Sequence, residues 1–102
     1  MIALVDAKRR LLAELCQQMG VERLYLFGSA AKGAFDPNRS DLDFLVSFHT
    51  TEPGEYTRNY FALADSLEGL FGRKVDLVTD RMVQNPYFRE LVEKTREPIY
   101  AA

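Results

Sequence analysis

The segment DLDFLVSF, residues 41–48, restricts the possible folds of this chain more than any other stretch. Large apolar residues recur at every second position, namely Leu42, Phe44, Val46 and Phe48. Residues two apart in an extended strand share a face, so these four side chains would face a core. Asp41 and Asp43 would then share the opposite face. The segment therefore predicts a strand with one buried face and a pair of carboxylates at the start of the other.

Helical and extended patterns alternate along the rest of the chain. The patterns predict a helix over residues 2–19, a strand over 23–27, a short helix or turn over 29–33, a loop over 34–40, a helix over 56–71, a strand over 74–79, a helix after Asn85-Pro86 that ends by Pro98, and a short edge strand at 99–100. The order α-β-α-β-α-β-α with short connections favours the α/β (α+β) class, a small mixed sheet flanked by helices. We expect a single domain over residues 1–102.

The bulk composition excludes several classes of protein. Lys and Arg number 13 against 15 Asp and Glu, so the chain lacks the basic excess typical of autonomous nucleic-acid binding. The single cysteine, Cys16, permits neither an internal disulfide nor a cysteine-based zinc site. No apolar stretch has the length of a membrane span, and the start of the chain does not resemble a signal peptide. We expect a cytoplasmic protein without membrane contact.

The aspartates carry the clearest chemical signal. Carboxylates as close as those of Asp41 and Asp43 repel each other, and a divalent cation removes that cost. Mg²⁺ prefers oxygen ligands and is often held by one or two carboxylates together with substrate phosphates. Asp76 lies in the middle of the predicted strand 74–79 and adds a third carboxylate if this strand lies beside strand 41–48. Two such ions can hold the attacking and leaving oxygens of a displacement at phosphorus.

A second signal lies at the end of strand 23–27. Gly28 and Ser29 follow the strand directly, and a strand that turns at a glycine into a helix start can present free N–H groups to a phosphate. The Ser29 hydroxyl adds a donor, and Lys32 could neutralise a phosphate one turn later. The spacing is not that of a P-loop. Taken alone, a Gly-Ser pair is usually only a loop, and an Asp before a strand is often a turn former.

Other chemically active side chains have simpler interpretations. His49 follows the strand, and a histidine at a strand end is more often exposed than catalytic. Cys16 lies on the apolar helix face and is expected in the core. Four aromatic residues of the helix over 56–71 are interpreted as packing residues: Tyr56, Tyr60, Phe61 and Phe71. Tyr87 and Phe88 fit either a core or a partner surface.

The three signals together resemble a known family. The segment FGSAAKGAFDPNRSDLDFLV, residues 27–46, with a later strand aspartate, is similar to the signature of the DNA polymerase β nucleotidyltransferases. The size of the chain and its ending resemble the minimal nucleotidyltransferases of prokaryotes, which are often paired with a HEPN-family protein. Ala30 stands where the family often has an arginine, and the loop before Asp41 is slightly longer than usual. Both departures concern phosphate geometry, and neither removes a carboxylate.

The resemblance implies a function and assigns roles. Gly28 and Ser29 would hold the triphosphate of ATP, Asp41 and Asp43 would bind two Mg²⁺ ions, and Asp76 would complete the site and serve the acceptor hydroxyl. The acceptor implied is a tyrosine of a HEPN-family toxin, with this chain as its antitoxin. Two alternatives stay open at this point. The chain could neutralise a partner by occlusion without chemistry, or it could modify a small molecule, although it offers little surface to enclose one.

Overall fold

The computed structural model describes residues 2–31, 36, 41–50 and 52–102 of the chain. Within them the elements are helices α1 (Ala3–Asp6) and α2 (Arg9–Gln18), strands β1 (Val21–Phe27) and β2 (Leu42–Phe48), helix α3 (Pro53–Phe71), strand β3 (Val75–Thr79), a 3₁₀ turn (Asp80–Met82), helix α4 (Pro86–Thr95) and strand β4 (Glu97–Ala101). The fold class predicted from the sequence is confirmed. None of the helices in these residues is long and apolar enough to cross a membrane.

The strands form one mixed sheet in the order β3-β2-β1-β4. Strand β1 runs antiparallel to both β2 and β4, whereas β2 and β3 are parallel. Helix α3 connects the two parallel strands, as the crossover between parallel strands requires. Because β3 and β4 are the edges, the two central strands are buried most deeply, and the short strand predicted at 99–100 is confirmed as part of the edge strand β4.

The sheet has an apolar cluster on each face. The larger cluster holds the alternating residues of β2 predicted to face a core, together with residues of β1 and of helices α1 to α3. The smaller cluster consists of Phe27, Leu45, Val83 and Val92, with Phe88 packed against it. The predicted alternation of β2 is therefore confirmed. Asp43 belongs to the same face as Leu45, the face that α4 covers in part.

Single residues at the ends of helices α3 and α4 set the helix boundaries as predicted from the sequence. The Asn85 side chain accepts hydrogen bonds from the backbone N–H groups of Tyr87 and Phe88, which caps α4. Pro86 occupies the first turn, where its missing N–H costs nothing. Gly72 ends α3 with a φ of 63°, a left-handed conformation that favours glycine.

Strands β1 and β2 and helix α3 differ from their predicted bounds only at their starts, whereas two other predicted elements differ more. The helix expected over residues 2–19 is divided into α1 and α2, with Lys8 at φ −113° and ψ 14° between them. Neither glycine nor proline marks this break, so the periodicity could not show it. Residues 28–31 form a turn, and the rest of the predicted helix or turn up to Gly33 lies outside the described residues.

Candidate active site

Asp43 and Asp76 are brought together by the pairing of the parallel strands β2 and β3. The register places the two residues directly beside each other, with Phe44 beside Leu77 next in line. Side chains at paired positions of neighbouring strands point to the same face. The two carboxyl groups are close enough to share a hydrogen bond. The sequence prediction that Asp76 adds a carboxylate to the face of Asp43 agrees with this arrangement.

The environment of Asp43 disfavours its charged form. Four effects together raise the pKa of Asp43 from its ordinary value of 3.8 to about 6. Burial is the largest, followed by the charge of Asp76, a hydrogen bond with the Asp76 carboxyl and the charge of Asp41. A carboxyl that is half-buried beside another one carries an electrostatic cost at neutral pH. Such a cost is typical of functional sites, where a cation or a substrate group relieves it.

Asp41 lies nearby but is placed differently from the other two. It precedes β2, which begins at Leu42 and not at Asp41 as predicted. Its Oδ2 atom lies 3.8 Å from Nζ of Lys74; the Lys74 side chain is largely exposed, and that of Asp41 is partly exposed. Asp41 acts on Asp43 through its charge, yet it does not line the cleft that contains Asp43 and Asp76.

Gly28 lies against the Asp43 carboxylate. Its φ of 73° favours glycine, because a side chain rarely adopts this conformation. A Cβ atom added to Gly28 would overlap Oδ2 of Asp43. The neighbouring pair Phe27–Asp43 of the β1–β2 ladder explains this closeness. The turn after β1 and the first carboxylate of β2 therefore form one continuous site.

The backbone of Gly28 is not free in the way that the sequence pattern indicated. Its N–H donates to the Oγ1 atom of Thr95, at 3.3 Å. The first backbone N–H group of this turn that could bind a phosphate is therefore that of Ser29. Ser29 is half-buried and belongs to the turn over residues 28–31. The position of Lys32, predicted as a phosphate ligand, lies outside the described residues.

An open cleft of about 420 Å³ surrounds these groups. The volume falls within the range of small-molecule sites, roughly 300–1,000 Å³. Its lining residues come from β1, β2, β3, α3 and α4 and include Gly28, Asp43, Asp76, Tyr60, Phe88 and Leu91. The cleft therefore brings together Gly28 and two of the three predicted carboxylates.

Three residues of this site were not identified as site residues from the sequence. Tyr60 donates its hydroxyl to the carbonyl of Leu77, at 2.7 Å, and thereby ties α3 to strand β3. Thr95 contacts Gly28, and Leu91 forms part of the cleft wall. The sequence carries no local signal for these contacts, because each one depends on how a helix packs against the sheet.

Of the aromatic residues Phe61, Tyr87 and Phe88, one is packed against the sheet and two are exposed. Phe88, left open between core and partner surface, packs edge-on against Phe27, with 5.8 Å between the ring centroids. Tyr87 is 84% exposed. The interpretation of Phe61 as a packing residue is wrong, since its side chain is 61% exposed. The aromatic residue type misled here, because Phe61 follows the packed residue Tyr60 and lies off the apolar face of the helix.

The remaining candidates agree with their simpler interpretations. His49 is exposed, and its backbone N–H donates to the carbonyl of Gly20. Cys16 is fully buried, and burial raises the pKa of its thiol to about 12. A thiol in this state is a poor nucleophile, so Cys16 is a core residue.

The side chains present fit a magnesium ion held together with a nucleotide. No group of three or more His, Cys, Asp and Glu side chains is arranged to hold one ion in the part of the chain that is described. Asp43 and Asp76 form a pair, and Mg²⁺ is commonly bound by one or two carboxylates plus substrate phosphates and water. Burial and the neighbouring Asp76 carboxyl raise the pKa of Asp43, and a bound cation would oppose this effect.

The chain is similar to known proteins in both sequence and structure. The chain matches the family model described as "Nucleotidyltransferase domain" over residues 8–99. An inferred protein adenylyltransferase of Methanocaldococcus jannaschii is 35% identical over 74 residues, which are 72% of this chain and 72% of that protein. The solved structure of an inferred minimal nucleotidyltransferase is 36% identical, with a TM-score of 0.68 and coverage of 92% of this chain and 91% of that chain.

A more distant structure shares the fold. It is the tri-AMPylated HEPN toxin of Shewanella oneidensis in complex with an MNT antitoxin, at 19% identity and a TM-score of 0.66, covering 96% of this chain and 73% of the matched one. The family match spans residues 8–99, which is nearly the whole sequence. The chain therefore belongs to the nucleotidyltransferase domain family, a class of transferases, and has the polymerase β-like fold of its minimal members.

Proposed function

We propose that this protein transfers AMP from ATP to a hydroxyl group of a partner protein. The acceptor oxygen forms a bond to the α-phosphorus of ATP, the bond between the α-phosphorus and the bridging oxygen breaks, and pyrophosphate leaves. The observation that carries the proposal is the pair Asp43–Asp76, which faces an open cleft directly beside Gly28. A crowded carboxylate pair next to a glycine turn is suited to hold a metal-bound triphosphate. The cleft is lined by residues of five elements, so its shape is set by the fold and not by one loop.

Each polar group has a role in this reaction. Asp43 and Asp76 would hold Mg²⁺, with Asp41 contributing negative charge from outside the cleft. Bound Mg²⁺ neutralises charge on the triphosphate and lowers the pKa of an acceptor hydroxyl, and two ions are expected. Asp76 is the more exposed of the paired carboxylates, so it is the one that an incoming hydroxyl meets first. Asp76 would orient that hydroxyl and receive its proton. Ser29 and Lys32 are proposed to bind the phosphates.

The acceptor is proposed to be a protein because the cleft is open on its outer side. In the described residues no element closes over Asp76, whose side chain is exposed, and a large acceptor can reach it. The Methanocaldococcus relative carries the name of a protein adenylyltransferase, and the Shewanella complex contains an AMPylated HEPN toxin. These names support a HEPN-family toxin as acceptor and an antitoxin role for this chain. As the accepting group we propose a tyrosine hydroxyl of that toxin.

The test is an AMP-transfer reaction with a HEPN-family protein from the same organism as acceptor. The two proteins are mixed with ATP and Mg²⁺, and the acceptor is analysed by intact-mass spectrometry. We expect discrete mass increases of one AMP group each, and peptide mapping should locate them on tyrosine. The Asp43→Asn variant should abolish the increases. Asp65→Asn, which makes the same chemical change at an exposed position of α3, should leave them unchanged.

The alternative outcome is equally definite. If the wild type binds and silences the acceptor without any mass increase under any of the common nucleoside triphosphates, the transfer reaction is excluded. Neutralisation by occlusion would then replace it. Modification of a small molecule would be favoured instead if the acceptor protein is neither bound nor modified while a small hydroxyl compound gains a nucleotidyl group.

A further inference from the structure

A threonine at the end of helix α4 contacts the turn that begins the nucleotide site. Thr95 is the last residue of α4, and its Oγ1 atom accepts a hydrogen bond from the N–H of Gly28 at 3.3 Å. The same hydroxyl donates to the carbonyl of Leu91 at 2.8 Å. A threonine hydroxyl has one hydrogen and two lone pairs. Because Leu91 takes the hydrogen, the Thr95 oxygen is left as an acceptor, which is what the Gly28 N–H needs.

The strand register explains why a side chain makes this contact. Strand β4 pairs with β1 through Tyr25–Pro98 and Leu26–Glu97. If this register continued by two residues, Thr95 would lie opposite Gly28. By that point the chain belongs to helix α4, so its backbone no longer follows the ladder of the sheet. The Thr95 hydroxyl thus replaces a strand carbonyl and extends the hydrogen-bonding of β1 by one step.

The position of Gly28 matters because it touches Asp43. Any movement of Gly28 toward β2 is opposed by the Asp43 carboxylate, where even a Cβ atom has no room. Movement in the other direction would open a gap between the turn and the carboxylate. The bond from Thr95 holds Gly28 from the β4 side, opposite to the side that Asp43 occupies. Gly28 is therefore held by the Thr95 hydrogen bond on one side and borders the Asp43 carboxylate on the other.

We propose that Thr95 is a positioning residue that fixes the Gly28–Ser29 turn beside the Asp43–Asp76 pair, so that the turn is ready to bind the triphosphate. The inference rests on the proposed function, which it extends to a residue of the C-terminal helix. Thr95 acts through Gly28 and need not touch the nucleotide. Helix α4 also supplies Phe88 and Leu91 to the cleft, so the same helix sets both the cleft wall and the turn.

The experiment compares Thr95→Val, which keeps the shape and removes the hydroxyl, with Thr95→Ser, which keeps the hydroxyl. Thr57→Val is the matched control, because Thr57 is an exposed threonine of α3. Amide hydrogen exchange of Gly28 by NMR, binding of AMP-PNP with Mg²⁺ by calorimetry, and the melting temperature are measured for each variant. In Thr95→Val the Gly28 amide should exchange at least about tenfold faster, and AMP-PNP affinity should fall by about tenfold. Thr95→Ser should restore both, and Thr57→Val should behave as wild type.

The outcomes separate the positioning role from other roles. Unchanged Gly28 exchange and unchanged AMP-PNP affinity in Thr95→Val would overturn the proposal. Equal losses in Thr95→Val and Thr95→Ser would overturn it as well, since the methyl group and not the hydroxyl would then matter. If the wild type itself does not bind AMP-PNP, the proposed function fails. The positioning of Gly28 by Thr95 is then decided by the exchange rate of the Gly28 amide alone.

A transfer assay adds a kinetic test. A residue that prepares the turn for the triphosphate should raise KM for ATP in Thr95→Val while kcat changes much less. A purely structural residue would instead lower the melting temperature and the active fraction, which reduces the apparent kcat at constant KM. The second pattern would overturn the proposal.

Discussion

Asp43 and Asp76 occupy paired positions on the parallel strands β2 and β3, and their carboxyl groups share a hydrogen bond. The pair exists because the crossover through α3 returns the chain beside β2 in the register that aligns these two residues. Neither residue belongs to a hydrophobic core, since Asp43 is half-buried and Asp76 is exposed. Burial and mutual repulsion make the pair costly without a cation, and that cost leads to two predictions.

The first prediction concerns metal binding. Replacing Asp43 with Asn removes one charge from the pair while keeping the side-chain volume. We expect the affinity for Mg²⁺ with AMP-PNP to fall by at least about tenfold, because an amide is a poorer ligand than a carboxylate. Calorimetric titration measures the change, and Asp65→Asn is the control on the exposed side of α3. Equal affinity in wild type and Asp43→Asn would show that the pair is not the metal site.

The second prediction concerns stability and pH in the presence of a chelator. The pKa of Asp43 is raised to about 6 in the folded protein from an ordinary value of 3.8. The folded state therefore binds this proton more tightly than the unfolded state. The stabilisation is fully present below pH 3.8, decreases as the pH rises, and is lost above about pH 6. Above that pH, wild-type protein carries a cost that a neutral residue avoids.

Asp43→Asn should accordingly raise the melting temperature at pH 7 and have little effect at pH 4. Because Asp43 is half-exposed, solvent screening reduces the effect to the order of 1 kcal/mol, or roughly 4–8 °C for a domain of this size. Thermal scans of both proteins at the two pH values measure the difference, with Asp65→Asn as the control that should show no such pH dependence. A melting temperature that decreases at pH 7 would assign Asp43 a structural role.

The third prediction uses two tyrosines of α3. The Tyr60 hydroxyl donates to the carbonyl of Leu77 in the edge strand that carries Asp76. The Tyr56 hydroxyl is buried and has no hydrogen-bond partner among the described residues. Tyr60→Phe should lower the free energy of unfolding by about 1 kcal/mol, whereas Tyr56→Phe should leave it unchanged or raise it slightly. Urea unfolding of the two variants measures this contrast, and equal losses would contradict it.

The sequence predicted those parts of the fold that depend on local patterns. The alternation in β2, the Asn85 cap and the glycine end of α3 each arise from neighbouring residues, and the structure confirms them. The break between α1 and α2 and the exposure of Phe61 were missed. The residue types at the break carry no signal, and the aromatic side chain of Phe61 suggested a packed position that the helix does not give it.

The site was predictable to the extent that it follows strand faces. Asp76 was expected beside Asp43 if the strands were neighbours, and they are. Asp41 was expected to share the face of Asp43; it directly precedes the strand, and its carboxylate lies 3.8 Å from Lys74, so its place in the site stays a prediction. The contact of Thr95 with Gly28 could not be predicted, because it depends on where α4 ends relative to β1. The functional roles of all these residues stay predictions until they are tested.

The last prediction separates the conformation of Gly28 from its contact with Asp43. Gly28 and Gly72 both have positive φ values, 73° and 63°, so alanine is strained at either position. Only at Gly28 does a Cβ atom meet another group, the Asp43 carboxylate, while at Gly72 nothing lies within 4 Å. Each alanine variant should lose about 1–2 kcal/mol of stability from backbone strain. Gly72→Ala is therefore a matched control for the strain.

The difference between the two variants should appear in binding. The Asp43 carboxylate ends a short side chain that can rotate away from the new methyl group, so the overlap at Gly28 is relieved mainly by moving this carboxylate. Gly28→Ala should therefore weaken binding of Mg²⁺ with AMP-PNP by at least about tenfold, since a ligand displaced by even 1 Å loses its geometry. Gly72→Ala should bind like wild type once corrected for the folded fraction. Equal binding by the two alanine variants would mean that Gly28 is required only for the turn and that its contact with Asp43 has no role in the site.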